Sequence, residues 1–261
     1  MAEDSRVLRR IEDGVSIISI NRDERHNAMD LEMSILLNEN WRQAILEDDS
    51  RAILIRGEGR SFCAGRDTNA LGSRAPGVSD FAHVSKSLRG KFQVLDSQKP
   101  IVAAVQGYAI GGGAEMALRA DIRVFADDAK FSIPEIDHGI MTDGGGSVIT
   151  ASIAGASRAK YLMMTGARID AKQAYEWGLC DFVVPRAELD DYALNLAKQI
   201  ASRPPVHLAL AKQLCDSVHG EAIRRGMRDE LVAISAVYRT ADAHEARAAR
   251  KEKRKPVFTG M

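Results

Sequence analysis

The stretch from Lys99 to Glu135 constrains the fold of this chain more than any other part of the sequence. It opens with an apolar run, residues 101–105, which lies between a proline and a glycine and therefore predicts a buried strand. Glycines at 111–113 come next, followed by the helix-forming residues 114–118. A strand that turns through glycines into a helix leaves backbone N–H groups uncovered where the helix dipole favours negative charge. Such a turn can bind an anion or stabilise an oxyanion, but runs of glycine also mark many ordinary turns.

Two glutamates accompany this turn. Glu115 lies in the first turn of the predicted helix, and Glu135 follows two strand-like segments at about 122–125 and 130–133. Glu115 has a structural alternative, because Arg119 one helical turn later could pair with it at a small gain in stability. The combination of a glycine turn with two carboxyl groups favours a functional site over an ordinary turn.

Composition excludes several classes of protein. A length of 261 residues and a hydrophobic content of 45% suit one large domain, or one domain with a small appendage. The 36 basic residues balance the 36 acidic ones, so the chain predicts no nucleic-acid partner. Three widely spaced cysteines fit neither a metal site nor a disulfide framework, and they indicate a reducing compartment. The sequence has no apolar leader and no run of membrane-spanning length, so we expect a soluble, cytoplasmic protein without a membrane partner.

Strands alternate with helices up to about residue 146, and helices dominate thereafter, which favours an α/β domain. The pattern predicts a hairpin from Arg6 to Ile20 with a turn at Asp13-Gly14. A helix capped by Asp30 should reach about Glu47. Its expected apolar side consists of Leu31, Ile35, Leu36 and Ile45. Further helices are predicted at about 81–96, 147–154, 157–164, 171–176, 187–201, 205–217 and 220–239, with strands at 52–56 and 182–184.

The last two predicted helices carry more apolar surface than a peripheral appendage could bury alone. The positions concerned are Leu208, Leu210, Leu214, Ile223, Met227, Leu231 and Ile234. They either pack on the chain's own core or form an interface between copies. Beyond these helices, residues 245–255 form a charge-rich tail.

The sequence resembles the crotonase, or enoyl-CoA hydratase/isomerase, superfamily. The resemblance is carried by residues 107–140 (GYAIGGGAEMALRADIRVFADDAKFSIPEIDHGI) and by SFCAGRD at 61–67. Supporting stretches lie at 21–30, 165–185 and 252–258, so the match covers nearly the whole chain. The resemblance implies an α/β fold, a crotonase-like spiral of repeated ββα units. It also implies an acyl-CoA-binding core at 1–200 and a C-terminal helical region at 201–261 that assembles a homotrimer or homohexamer.

By this resemblance, the backbone N–H groups of Ala64 and Gly112 form an oxyanion hole for the thioester carbonyl of an acyl-CoA. One such donor is typically worth about 10²–10³ in rate. The alternative for the loop around Ala64 is a tight turn that needs Gly65. Glu115 and Glu135 match the two carboxylates of family hydratases, which activate water and protonate Cα. Repulsion and burial can keep one such carboxyl protonated.

Asp143 departs from the pattern of many family hydratases, which carry a small residue here, whereas several isomerases carry an aspartate. The resemblance implies that Asp143 faces the acyl pocket as a third proton carrier. An N-cap for the helix that starts near Gly145 or Gly146 is the alternative, since aspartate caps helices well.

The resemblance also implies a CoA-binding surface. The corresponding residues are Arg25, Asn27, Ala28, Gly65, Asp67 and Lys253. The first three match positions at the adenine end of CoA, partly through backbone atoms, and Lys253 matches a lysine directed at the CoA phosphates. Relatives commonly carry a glycine and an aromatic residue before EKRKP, where this chain has Ala246 and Arg250.

Three functions are compatible with these residues. The first is a hydratase that adds water across the C2=C3 bond of a 2-enoyl-CoA with Glu115 and Glu135. The second is an enoyl-CoA or dienoyl-CoA isomerase that also uses Asp143. The third is a non-catalytic acyl-CoA binder, although a binder needs neither glutamate. We expect no metal and no cofactor beyond the CoA moiety of the substrate.

Overall fold

A computed structural model describes residues 5–68 and 90–261. The strands are β1 Val7–Glu12, β2 Val15–Ile20, β3 Ala52–Gly57, β4 Ile101–Val105, β5 Tyr108–Ile110, β6 Ile122–Ala126, β7 Lys130–Ser132, β8 Arg168–Asp170 and β9 Phe182–Val184. The α-helices are α1 Leu31–Leu46, α2 Gly112–Leu118, α3 Gly146–Ala154, α4 Ala156–Thr165, α5 Ala171–Glu176, α6 Leu189–Ala201, α7 Pro205–Asp216, α8 Gly220–Val237 and α9 Ala241–Lys251, and residues 90–95 are also helical. Short 3₁₀ turns occupy Asp23–Arg25, Glu135–His138 and Arg186–Glu188.

The larger sheet has the strand order β1-β2-β3-β4-β6-β9. Only the β1–β2 hairpin in it is antiparallel, and every other neighbouring pair is parallel. Strands β2 and β4 are buried along their whole length, as expected for parallel strands covered on both faces. The hairpin turns through Asp13 and Gly14, both at positive φ, which an Asp-Gly pair tolerates well. The predicted hairpin and the α/β class are confirmed.

A smaller sheet, β5-β7-β8, positions the region of the glycine turn. Gly107 links β4 to β5 at φ 52°, and a side chain there would collide with the carbonyl oxygen of Arg60, 2.1 Å from the Cβ position. Strands β5 and β7 pair in parallel, so their carboxyl ends meet at one edge. Helix α2, with Glu115, begins directly after β5, and the turn that starts at Glu135 follows β7. The register of these two short strands therefore brings the two glutamates together.

Helix α1 begins as predicted, because the Asp30 side chain accepts a hydrogen bond from the backbone N–H of Met33 at 2.9 Å. Its buried face differs from the prediction and consists of Met33, Leu37, Trp41 and Ala44. Ile35 is 58% exposed, so its assignment to the apolar side was wrong. The four buried residues recur every three or four positions and so share one face of the helix, whereas Ile35, two positions after Met33, points to the opposite side.

Three elements were not predicted. Strands β5 and β8 have three residues each, too few for alternation to be visible. Helix α9 covers most of the predicted charge-rich tail. It buries only small side chains, Ala243, Ala246 and Ala249, which give a weak hydrophobic pattern. Most of the helix predicted over 81–96 lies outside the described residues. The part that is described, residues 90–95, is helical.

The apolar positions of the C-terminal helices divide into two groups. Met227 and Ile234 of α8 are buried against the chain's own core, which confirms the packing alternative for them. A second group is spaced at four residues on and just after α7 and is 53–71% exposed: Val206, Leu210, Leu214 and Val218. This α7 stripe is an apolar face that the described part of the chain does not cover. Among the described helices, none combines the length and apolar character needed to cross a bilayer.

We expect the chain to form trimers or pairs of trimers at micromolar concentration, because association would bury the α7 stripe. Replacing both Leu210 and Leu214 by Glu should lower the mass measured by light scattering, since it places charges on that stripe. Gln213→Glu, an exposed change on the same helix, serves as the control and should leave the mass unchanged. A monomeric wild-type protein would contradict the expectation.

Candidate active site

A cavity of about 200 Å³ lies at the edge where β5 and β7 end. Its lining includes the three predicted carboxylates together with residues from four other parts of the chain: Trp41, Arg66, Lys91, Gly112, Glu115, Arg119, Glu135, Asp143, Ile234 and Tyr238. Helix α8 and the residue after it therefore supply part of the wall. A second cavity of about 530 Å³ lies between the end of α2 and helices α7 and α8, with a largely apolar lining. It contains none of the three carboxylates, so the smaller cavity is the candidate active site.

The carboxylate of Glu115 is held by a loop that precedes α3. Glu115 is 5% exposed, and its Oε1 accepts hydrogen bonds from the backbone N–H groups of Asp143, at 3.0 Å, and Gly144, at 2.7 Å. The hydroxyl of Thr142 donates to the same oxygen. Three donors on one oxygen suit an ionised carboxylate. We call residues 142–147 the site loop.

The alternative that Glu115 forms a salt bridge with Arg119 is not supported. No ion pair joins these two side chains within the described residues. The Arg119 guanidinium donates instead to the carbonyl oxygen of Gly144, at 3.4 Å. Burial lowers the pKa of Arg119, while the charge of Glu115 raises it. The guanidinium is thus a buried positive charge near the carboxylates that forms no ion pair with Glu115.

Glu135 lies in a different environment. Its Oε2 is buried and accepts or donates no hydrogen bond within the described residues. Burial raises the pKa of Glu135 to about 8, and the charge of Glu115 adds to the effect. At neutral pH Glu135 is therefore a protonated acid beside Glu115, whose Oε1 accepts three hydrogen bonds. Two such different environments divide the roles that a pair of carboxyls needs for acid–base chemistry.

Asp143 is not a helix cap. The N-cap residue of α3 is Gly145, and the carboxylate that accepts N–H groups at that helix end belongs to Glu230. Asp143 forms an ion pair with Lys91, with 2.7 Å between Nζ and Oδ2, and the same Nζ donates to the Asp143 carbonyl oxygen. Burial raises the pKa of Asp143, but the nearby charges of Lys91, Arg66 and Arg119 outweigh it and the net shift is downward. The Asp143 carboxylate is therefore ionised and held in the cavity wall.

The prediction that Ala64 supplies an oxyanion-hole donor was wrong. The backbone N–H of Ala64 donates to the carbonyl oxygen of His26 at 2.9 Å, so it is not available to a ligand. This hydrogen bond fastens the loop to the turn after β2, and the sequence motif alone does not reveal it.

The backbone N–H group of Arg66, two residues after Ala64, is available to a ligand. Met29 forms a parallel bridge with Arg66. The Met29 N–H donates to the Gly65 carbonyl oxygen and the Asp67 N–H donates to that of Met29, both at 2.8 Å. Because donors alternate in an extended segment, the N–H of Arg66 points away from Met29, and within the described residues it has no acceptor.

Gly112 supplies the second available donor. It is the first residue of α2, so its N–H has no partner inside the helix. Gly65, at φ 86°, allows the two loops to approach, because a Cβ there would lie 2.5 Å from the Ile110 carbonyl oxygen and 3.3 Å from the Gly112 nitrogen. Arg66 and Gly112 thus present two unbonded N–H groups beside the carboxylates.

A family model described as enoyl-CoA hydratase/isomerase matches residues 10–261. The chain belongs to the enoyl-CoA hydratase/isomerase family. It is 34% identical over 259 residues, 97% of this chain and 98% of the relative, to the 1,2-epoxyphenylacetyl-CoA isomerase of Escherichia coli K12. It is 33% identical to the carnitinyl-CoA dehydratase of Salmonella enteritidis PT4, over 94% of this chain and 95% of the relative.

The fold comparison agrees. An enoyl-CoA hydratase/isomerase structure from Pseudoalteromonas atlantica T6c superposes with a TM-score of 0.88 and 28% identity, and the match covers 97% of this chain and all of the other. The α/β crotonase fold that the resemblance implied is therefore confirmed, and the family acts on acyl-CoA thioesters.

In this family member, two of the predicted CoA-binding residues have structural roles. The side chain of Asn27 is fully buried. It donates to the carbonyl oxygens of Glu58 and Ser61 and accepts from the backbone N–H of Arg22 at 2.6 Å. These bonds hold the turn after β2 together. The carbonyl oxygen of Ala28 accepts from Arg22 at 2.9 Å and its N–H donates to the Arg25 carbonyl oxygen, which leaves the second lone pair of the Ala28 carbonyl for a ligand. The roles of Asn27 and Ala28 toward CoA stay predictions.

The remaining CoA-binding predictions fall on the surface or on the loop. Arg25 is exposed at the end of its 3₁₀ turn. Asp67 pairs with Arg22, at 3.2 Å. Lys253 is exposed beyond α9 and is not among the residues that line the cavity. The roles of Arg25, Gly65, Asp67 and Lys253 toward CoA stay predictions.

Helix α9 packs on the turn that carries Glu135. A Cβ at Gly139 would lie 2.7 Å from the Cβ of Ala246, and the guanidinium of Arg250 contacts the ring of His138. Both positions where this family member departs from the usual C-terminal pattern therefore touch this turn.

Besides Arg66 and Lys91, sequence reasoning missed Glu230 of α8. Glu230 is 4% exposed and accepts hydrogen bonds from the backbone N–H groups of Gly145, at 2.8 Å, and Ser147, at 2.9 Å. A signal was present, because Glu230 lies at helical spacing between the buried Met227 and Ile234. A charged residue within an apolar stripe indicates a buried polar partner.

The raised pKa of Glu135 predicts a pH-dependent stability. Between about pH 4.5 and 8 the folded chain keeps a proton on Glu135 that the unfolded chain releases. The free energy of unfolding should therefore fall as pH rises through this window, by up to about 1.4 kcal/mol per pH unit from this group. Glu135→Gln should remove that component, and urea unfolding at several pH values measures it. Glu176→Gln, a change at an exposed position of α5, is the control. The expectation fails if wild type and Glu135→Gln differ by the same amount at every pH.

Proposed function

We propose that this protein is an enoyl-CoA hydratase, which adds water across the C2=C3 bond of a 2-enoyl-CoA thioester. The observation that supports this best is the pair Glu115 and Glu135 in one cavity. Glu115 accepts three hydrogen bonds as a carboxylate, whereas burial raises the pKa of Glu135 to about 8. Hydration needs one group that accepts a proton from water and another that gives a proton to carbon, and this pair supplies both.

The reaction divides into two proton transfers. With the thioester carbonyl oxygen between the N–H groups of Arg66 and Gly112, Glu115 accepts a proton from water and the oxygen of that water bonds to C3. The electron pair of the C2=C3 bond moves toward the thioester, and the two N–H donors stabilise the resulting enolate oxygen. Glu135 then donates its proton to C2 as the carbonyl reforms. Exchange with water returns each glutamate to its starting state, and the only cofactor is the CoA that the substrate carries.

One of the two relatives supports hydro-lyase chemistry, and the other supports a second candidate function. One is named a carnitinyl-CoA dehydratase, and dehydration is the reverse of hydration. Another is named 1,2-epoxyphenylacetyl-CoA isomerase. Isomerisation of an enoyl- or dienoyl-CoA is the second candidate because Asp143, a third carboxylate, also lines the cavity. Its ion pair with Lys91 favours a structural role over proton transfer, and this ranks hydration first.

The deciding experiment incubates the purified protein with 2-enoyl-, 3-enoyl- and dienoyl-CoA esters of several lengths. Hydration adds the mass of one water to the product, whereas isomerisation leaves the mass unchanged and moves the double bond. Rearrangement of the 3-enoyl or dienoyl esters without water uptake by any 2-enoyl ester would establish the isomerase. Tight binding of the esters without any product would establish a non-catalytic binder.

On a substrate that the wild type hydrates, Glu115→Gln and Glu135→Gln should each lower kcat by about 10² or more, because each removes one proton-transfer group. The double variant should fall far less than the product of the two losses. Steady-state kinetics measures this, with Glu176→Gln as the control. Wild-type rates from both single variants would contradict the two-glutamate mechanism.

One substitution tests the oxyanion hole without disturbing the fold. Proline is well accepted at the first residue of a helix, so Gly112→Pro removes one N–H at a tolerant position. Gly111 before it has φ 54° and ψ −121°, an extended mirror-image conformation open to glycine. Turnover should fall by about 10²-fold or more.

Gly112→Ala is the matched variant, because it adds side-chain atoms but keeps the N–H. A Cβ there would meet only the Met29 Cε, at 3.9 Å. The proline variant should therefore be much slower than the alanine variant at equal CoA affinity. Equal turnover of the two variants would remove the Gly112 N–H from the mechanism.

A further inference from the structure

Glu230 reaches from α8 to the end of the site loop that joins α3. Its Oε2 accepts the N–H of Gly145, and its Oε1 accepts both the N–H and the hydroxyl of Ser147. Both oxygens accept N–H donors, which fits the ionised form. The carboxylate therefore binds the uncovered donors at the start of α3, where the helix dipole also favours negative charge.

Glu115 binds the same loop from the other side, through the N–H groups of Asp143 and Gly144. The loop is a close fit between the two carboxylates. A Cβ at Gly144 would lie 2.5 Å from Glu115 Oε2, and a Cβ at Gly146 would lie 3.2 Å from Glu115 Oε1. Gly145 has φ 99°, and a Cβ there would lie 2.5 Å from Ile149 Cδ1. A loop confined in this way transmits a displacement at one carboxylate to the other.

We propose that Glu230 is a positioning residue for the catalytic pair: it fixes the site loop whose N–H groups hold Glu115, and it adds a buried negative charge behind the cavity. This proposal rests on the proposed function, because it assigns Glu115 the role of base. It also gives α8 a part in the chemistry of its own chain, besides any part in assembly.

The charge of Glu230 acts within a defined set of groups. Glu115 lies on α2 and Arg119 directly follows that helix, Asp143 lies on the site loop, and Lys91 and Arg66 are the other charged residues of the lining. Burial is the largest cause of the raised pKa of Glu135, followed by the charge of Glu115, and the charges of Asp143 and Glu230 raise it further. Burial also raises the pKa of Glu230 itself, against the hydrogen bonds from Ser147 and Gly145. Removing the charge of Glu230 should therefore lower the pKa of Glu135.

The test compares Glu230→Gln with Asp229→Asn. The first keeps the shape of the side chain but turns an NH₂ group toward a backbone N–H of the site loop. The second removes one negative charge from the exposed neighbour on the same helix. We expect kcat to fall about tenfold or more in Glu230→Gln, as small displacements of catalytic groups cause, with KM little changed. Asp229→Asn should stay within about twofold of wild type, the range of experimental scatter for a surface change.

The pH profile separates positioning from a general structural defect. The alkaline limb of the kcat/KM profile reports loss of the proton from Glu135, so it should move to lower pH in Glu230→Gln. A structural defect would lower the whole profile without moving that limb. If Glu230→Gln does not fold, Ser147→Ala removes one of the donors to Glu230, and its kcat should fall by less, without a shift of the limb. Unchanged kcat in every folded variant, Ser147→Ala included, would overturn the proposal.

A titration without substrate separates this proposal from the proposed function. Carbon-13 NMR of the glutamate carboxyl groups in the free protein follows Glu135 directly, after assignment with Glu135→Gln. A lower titration midpoint for Glu135 in Glu230→Gln upholds the coupling even if no enoyl-CoA is hydrated. An unchanged midpoint overturns it even if hydration is confirmed.

Discussion

The parallel pairing of β5 with β7 is the interaction on which the rest of the site depends. Each strand has three residues and ends in a segment that carries one glutamate. A parallel register places both ends at one edge of the sheet, whereas an antiparallel one would separate them by the length of a strand. The glycines around this edge follow from the same constraint, because backbone from three segments must pass within contact distance of two carboxyl groups.

Two carboxyls in one cavity are useful only if their environments differ, and the difference here comes from the number of donors. Glu115 meets a loop that turns three donors toward it, whereas the buried Oε2 of Glu135 has no hydrogen-bond partner among the described residues. The positive charges of Lys91 and Arg119 compensate the remaining carboxylates without bonding to either glutamate. The protein therefore separates the charge states of the pair by its backbone rather than by ion pairs.

The sequence predicted the parts of this arrangement that depend on local signals. A few neighbouring residues are enough to predict each of three features: the strand at 101–105, the glycine turn and the Asp30 cap. The donor of the oxyanion hole was assigned to Ala64 rather than Arg66, because the choice depends on pairing with Met29, which is distant in sequence. The partners of Asp143 and the presence of Glu230 depend in the same way on contacts between distant segments, and α9 was missed because alanines alone bury it.

The packing of α9 on the turn of Glu135 has a consequence for the acid that the turn carries. Arg250 contacts His138 across 112 positions of sequence, and Ala246 packs against Gly139 at the end of the same turn. Neither α9 residue lines the cavity, yet both hold in place the turn whose burial raises the pKa of Glu135. Substitutions on this outer helix can therefore change the acidity of the proton donor without touching any group that meets the substrate.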